Sequence, residues 1–81
     1  MYKITTEEKA RLDKDFTYHP PKADQVPRYN VIRNCAGTFA AVLLENCPPS
    51  RERSLALTAL EEAVMWANAS IARNEKETPR A

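Results

Sequence analysis

An all-α fold is predicted by three features of the sequence. The stretch SRERSLALTALEEAVMWANASIARNE, from Ser50 to Glu75, contains no glycine and no proline. A second stretch, from 24 to 46, carries apolar residues at three- and four-residue spacing, the repeat of one helix face. Paired prolines at 20–21 and 48–49 punctuate the chain before each of these segments, and proline cannot continue a helix interior. The expectation is a single domain over residues 1–81. It has a short N-terminal helix and a long antiparallel two-helix hairpin, assembled into a helical homo-oligomer.

Residues 5–14, TTEEKARLDK, form the short helix. Thr5 or Thr6 caps it, and Glu7 and Glu8 suit the positive end of the helix dipole. Only Ala10 and Leu12 are apolar there, so this helix needs docking to persist. Residues 16–23 follow as an extended linker, because Pro20 and Pro21 favour extended backbone. Asp24 is the expected N-cap of the helix over 24–46, with Pro27 tolerated in its first turn. Tyr29, Ile32, Ala36, Phe39, Ala40 and Leu43 form its main stripe, with Val31, Cys35 and Val42 beside it. Gly37, the only glycine, predicts a close approach of another backbone or a kink. After Pro48 and Pro49, Ser50 caps the helix over 50–75. Leu57, Leu60, Val64, Ala67 and Ile71 are its main stripe, flanked by Leu55, Ala59, Ala63 and Trp66. The tail KETPRA is expected to fray. A short connection makes the two long helices antiparallel neighbours.

An 81-residue chain is marginal as a free monomer and needs a staple. Cys35, Cys47 and His19 are too few for a structural zinc site. Twelve residues of helix would separate the cysteines by about 18 Å, beyond disulfide reach. Partner chains remain, and each long helix has more apolar surface than a two-helix hairpin buries. Twelve basic and 11 acidic residues give a net charge of +1, which argues against a DNA binder driven by bulk charge. No apolar run is long enough to span a bilayer, and the polar start MYKITTEEKARLDKD does not read as a signal peptide.

No catalytic constellation emerges. Glu61 and Glu62 point about 100° apart on a helix, His19 has no partner at an indicative spacing, and one glycine cannot build a phosphate loop. No metal or cofactor is implied. Arg51 and Arg53 at a helix start read as partners of Glu45 or Glu52 in an intersubunit salt bridge, or as an anion site. Tyr18, His19, Lys22 and Arg33 are the residues with binding chemistry: aromatic faces stack on bases, and cations hold phosphates. Spacing leaves two readings open, a small ligand site or a docked structural arm.

The segment from Phe16 to Glu75 resembles the hairpin domain of the phage anti-CBASS cyclic-nucleotide sponges and, more distantly, of the anti-Thoeris sponges. The resemblance is carried by YHPP near its start, CPPSRERSLA at the turn and LEEAVMWANA in the last helix. It implies a non-enzymatic hexamer of helical hairpins in the cytoplasm of the infected bacterial host. Such a protein sequesters cyclic dinucleotides such as cGAMP and, in separate pockets, cyclic trinucleotides. It further implies that Tyr18 stacks on a base, that Arg33 meets a phosphate, and that Arg73 serves the trinucleotide. A sponge for glycocyclic ADP-ribose and a helical protein-interaction module without a nucleotide site are the alternatives.

Overall fold

Three helices and no strand account for the described residues, 1–75, of the computed structural model: α1 (Thr6–Phe16), α2 (Val26–Asn46) and α3 (Arg51–Asn74). The tail KETPRA lies outside the described residues. The start of α1 is a capping box. Thr5 Oγ1 accepts from the Glu8 amide at 3.1 Å, and Glu8 Oε1 accepts from the Thr5 amide at 2.9 Å, so two otherwise orphaned donors are satisfied. The helix runs to Phe16 rather than stopping at 14, because no breaker intervenes before Thr17 turns extended.

The start of α2 departs from expectation. Gln25, not Asp24, is the N-cap, and its own backbone is helical, with φ −85° and ψ −33°. A turn imposes this, with the Gln25 and Val26 amides donating to Lys22 O at 2.9 and 3.3 Å. A side-chain cap needs an extended residue at that point, and none is present. The Asp24 carboxylate instead meets Arg28 Nη2 at 3.5 Å. Ser50 caps α3 as expected, accepting from the Arg53 amide at 3.1 Å. The Arg53 guanidinium donates to Leu44 O and Cys47 O at 3.3 and 3.2 Å. It is therefore occupied with the carbonyls that the end of α2 leaves open.

α2 and α3 pack against each other. Tyr29, Ile32, Ala36, Ala40 and Leu43 are half-buried on α2, and so are Leu57, Leu60, Val64, Ala67 and Ile71 on α3. Phe39 leaves the predicted stripe and is 52% exposed, since Ala40, one step round the helix, takes the seam position. Cys35 is exposed rather than buried, and both cysteines are free. A Cβ on Gly37 would meet nothing within 4 Å, so no other part of the described chain makes the close approach expected there. α1 is tied to the end of α3 by polar contacts: Lys14 Nζ to Asn74 Oδ1 at 3.3 Å, and Asp15 to Arg73 at 3.6 Å, with Arg11 on the same carboxylate at 3.6 Å.

No apolar side chain is fully buried among the described residues. The accessible surface is 7045 Å², against about 4,900 Å² for a folded monomer of this mass. Val31, Phe39, Val42 and Leu44 on α2, and Leu55, Met65 and Trp66 on α3, are exposed. Large apolar side chains left uncovered in this number are the kind of surface that marks an interaction site.

Two outcomes follow for the N-terminal helix. Thr5→Ala removes half of the capping box and costs about 1 kcal/mol of α1 stability. In hydrogen exchange the first-turn amides of α1 lose protection while α3 is unchanged. Asp15→Ala removes the carboxylate shared by Arg11 and Arg73, a loss of about 1 kcal/mol or less per exposed pair. Exchange then rises across Thr6–Phe16 as a block.

Candidate ligand-binding site

The end of α1, the linker, the first turns of α2 and the last turns of α3 meet around a cleft of about 590 Å³. Asp15 comes from α1, and Thr17, His19 and Pro21 come from the linker. Val26, Tyr29, Asn30 and Arg33 come from α2, and Asn68, Ala69, Ala72 and Arg73 from α3. His19, Arg33 and Arg73, separated by up to 54 positions in the chain (73 minus 19), are thus brought to one place.

Tyr18 and Lys22 do not line this cleft. The linker residues that do are odd-numbered, and extended backbone sends successive side chains to opposite sides. Tyr18 therefore stands on the outer face, 80% exposed. Lys22 is half-buried, and its backbone closes the turn into α2. The aromatic and cationic quartet predicted from sequence is split by this alternation.

The cations of the cleft differ in how they are compensated. Arg73 faces Asp15, with Nη1 at 3.6 Å from the carboxylate and Nη2 donating to the Asp15 carbonyl at 3.4 Å. Arg33 is exposed and donates to the neutral Asn30 Oδ1. Among the described residues no carboxylate pairs with it. Its charge is available for an anion, and a guanidinium presents a fork that suits phosphate. His19 Nε2 lies 2.7 Å from Lys14 O. A carbonyl only accepts, so Nε2 carries a proton. Asn68 Oδ1 is buried beside the cleft without a hydrogen-bond partner among the described residues.

A larger cleft of about 770 Å³ lies between α1 and α3, with Trp66, Arg11, Lys14 and Arg73 on its walls. Arg11 and Arg73 share Asp15 there, and Lys14 is held by Asn74. The indole of Trp66 donates to Glu62 Oε1 at 3.3 Å. Arg11 and Arg73 thus face a carboxylate, whereas Lys14, like Arg33, meets a neutral amide oxygen.

Sequence reasoning missed a cluster on the far side of the turn. Gln25, 3% exposed, is the one fully buried residue among those described. Its Oε1 accepts from the Lys22 amide at 2.9 Å, and its Nε2 donates to Glu75 Oε1 at 3.1 Å. Arg28 grips the same Glu75 carboxylate with both terminal nitrogens, at 2.5 and 2.7 Å, and reaches Asp24 O with Nε at 3.2 Å. The hydrogen bond to Glu75 holds the Arg28 guanidinium above its ordinary pKa. The i,i+4 pair Asp24–Arg28 was visible in sequence. The partner 47 residues away was not.

Among the described residues, no cluster of histidine, cysteine, aspartate and glutamate is placed to hold a metal ion, and no helix is long and apolar enough to cross a membrane. No curated protein and no solved structure matches the chain. The family model of the Acb2/Tad1 hairpin domain matches residues 8–72. That span holds most of α1, the whole linker with Tyr18, His19 and Lys22, all of α2 with Arg33, and α3 to within two residues of its end. Arg73 falls one position outside it. A match over so much of the chain, on three helices joined by this linker, shows that the protein belongs to the Acb2/Tad1 hairpin-domain family.

Proposed function

We propose that the chain is a phage sponge for cyclic oligonucleotide second messengers. It binds them, cyclic dinucleotides first, holds them without cleavage, and so blocks CBASS signalling in the cytoplasm of the infected host. The observation that carries this reading is Arg33, a guanidinium with no carboxylate partner among the described residues, on a cleft whose linker also presents the exposed ring of Tyr18. A cyclic dinucleotide offers the complement, two phosphates for cations and two flat bases for aromatic rings. Stacking contributes about 1–3 kcal/mol per base, and charge-assisted hydrogen bonds add to it. Sequestration requires no acid, base or nucleophile, only tight binding.

The assembly belongs to the same proposal. The chain works as a homo-oligomer, a hexamer by family resemblance, in which antiparallel α2–α3 hairpins cover one another. Support comes from the uncovered Val31, Phe39 and Val42 on α2 and Leu55 and Trp66 on α3. Tyr18 stands on the linker face opposite His19, so it meets a ligand lying between two copies rather than one sunk into its own cleft. A symmetric ligand at a two-fold contact receives each cation and each ring twice. Lys22 and His19 complete the dinucleotide site, and Arg73 serves a cyclic trinucleotide.

Three measurements test these assignments. Tyr18→Ala and Arg33→Ala each abolish calorimetric binding of a cyclic dinucleotide while the oligomer mass in light scattering is unchanged. Wild-type affinity in both variants overturns the site. Arg73→Ala weakens cyclic trinucleotide binding at least tenfold and spares the dinucleotide. Equal loss of both ligands places Arg33 and Arg73 in one shared pocket instead. Protein loaded with a cyclic dinucleotide and then heat-denatured releases the nucleotide intact. A cleaved product identifies an enzyme, and a nucleotide never retained identifies a protein-interaction module. The same assay run with glycocyclic ADP-ribose separates a Thoeris sponge from a CBASS sponge.

A further inference from the structure

The linker that carries Tyr18 and His19 is held at two points. Upstream, His19 Nε2 donates to Lys14 O at 2.7 Å. Downstream, Lys22 is fastened through both backbone groups: its amide donates to Gln25 Oε1 at 2.9 Å, and its carbonyl accepts from the Gln25 and Val26 amides at 2.9 and 3.3 Å. Between the two points stand only Pro20 and Pro21, whose φ angles are fixed by their rings. The linker therefore has few dihedrals left to set.

The downstream anchor is itself held from a distance. Gln25 Nε2 donates to Glu75 Oε1 at 3.1 Å, and Arg28 holds both oxygens of that carboxylate. Glu75 is the residue at which the chain leaves α3. Among the described residues every apolar side chain keeps some exposure, and the one buried residue is this polar glutamine. A buried amide with partners on both ends is a strong geometric constraint. Changing one partner leaves the other polar group unsatisfied.

We propose that Gln25, Arg28 and Glu75 form a latch that presets the linker for its ligand, with Gln25 and Arg28 as positioning residues that touch no ligand themselves. This rests on the cyclic-nucleotide reading above and deepens it. A linker already in its bound geometry does not lose conformational freedom on binding, and the stacking of Tyr18 then appears as affinity. Without the latch the same contacts form, and part of their free energy goes to ordering residues 17–24.

The test combines exchange of the Lys22 amide in free protein, read by NMR, with calorimetric titration of a cyclic dinucleotide. In wild type the Lys22 amide is protected. In Gln25→Ala it exchanges as freely as an exposed linker amide, and affinity falls about tenfold with a less favourable binding entropy, while helicity and oligomer mass are unchanged. Glu75→Gln, the milder change, weakens the Arg28 grip and gives a smaller loss in the same direction. It serves as the deciding variant if Gln25→Ala does not fold. An exposed Lys22 amide with wild-type affinity overturns the latch, as does an affinity loss in Gln25→Ala with the Lys22 amide still protected. Wild-type protein that binds no cyclic dinucleotide overturns the underlying reading and the latch with it. The Lys22 amide in the free protein tells the two failures apart.

Discussion

The contact between α2 and α3 is the constraint on which everything else in this chain depends. Its seam is narrow, built from alanines and branched aliphatics that stay half-exposed. A charged side chain reinforces each end. At the short connection Arg53 donates to the last carbonyls of α2. At the open end Arg28 holds Glu75, so that the start of one helix meets the end of the other. Seam positions cannot slip by a turn without breaking both ties. Seating Glu75 beside Arg28 also places Asn68, Ala72 and Arg73 opposite Asn30 and Arg33 across the cleft.

α1 and the linker depend on that pairing. α1 offers little apolar surface and docks through Lys14 and Asp15 on Asn74 and Arg73, residues of the last turn of α3. The linker hangs between this docked helix and the turn at Lys22. Its Thr17, His19 and Pro21 line the cleft, whereas Tyr18 and Lys22 do not. Arg73 thus has a structural duty to Asp15 that Arg33 does not share, and the two arginines are not equivalent as ligand contacts. The apolar surface left open on α2 and α3 is the counterpart of a thin seam: two helices packed side by side cover only one stripe of each.

The helices, their capping by Thr5 and Ser50 and the α3 stripe were legible because they arise from neighbours within four positions. Periodicity and caps are local properties of backbone geometry. Asp24 misled for the same reason. It is a good cap by type, yet a turn set by Gln25 and Lys22 moved the helix start one residue on and gave its carboxylate to Arg28. Phe39 and Ala40 could not be separated by spacing alone, since both fit a three-to-four repeat. Ala40 is half-buried and Phe39 is exposed. Gly37, read as a point of close approach, has open space around it in this chain.

By itself the sequence determined an all-α chain with two long helices, an excess of apolar surface, and a family whose residues place binding chemistry in the linker and the start of α2. Only the tertiary structure decided which of those residues act together. It kept Tyr18 out of the cleft that His19 lines, brought Arg33 and Arg73 to one cleft, and among the described residues left Arg33 without a carboxylate while giving Arg73 to Asp15. It also revealed Gln25, whose significance comes entirely from being buried between Lys22 and Glu75. The physical reason is the range of the interactions. Helix formation is written in residues three and four apart, whereas compensation of a charge and satisfaction of a buried amide depend on partners about 50 positions away, which no local pattern encodes.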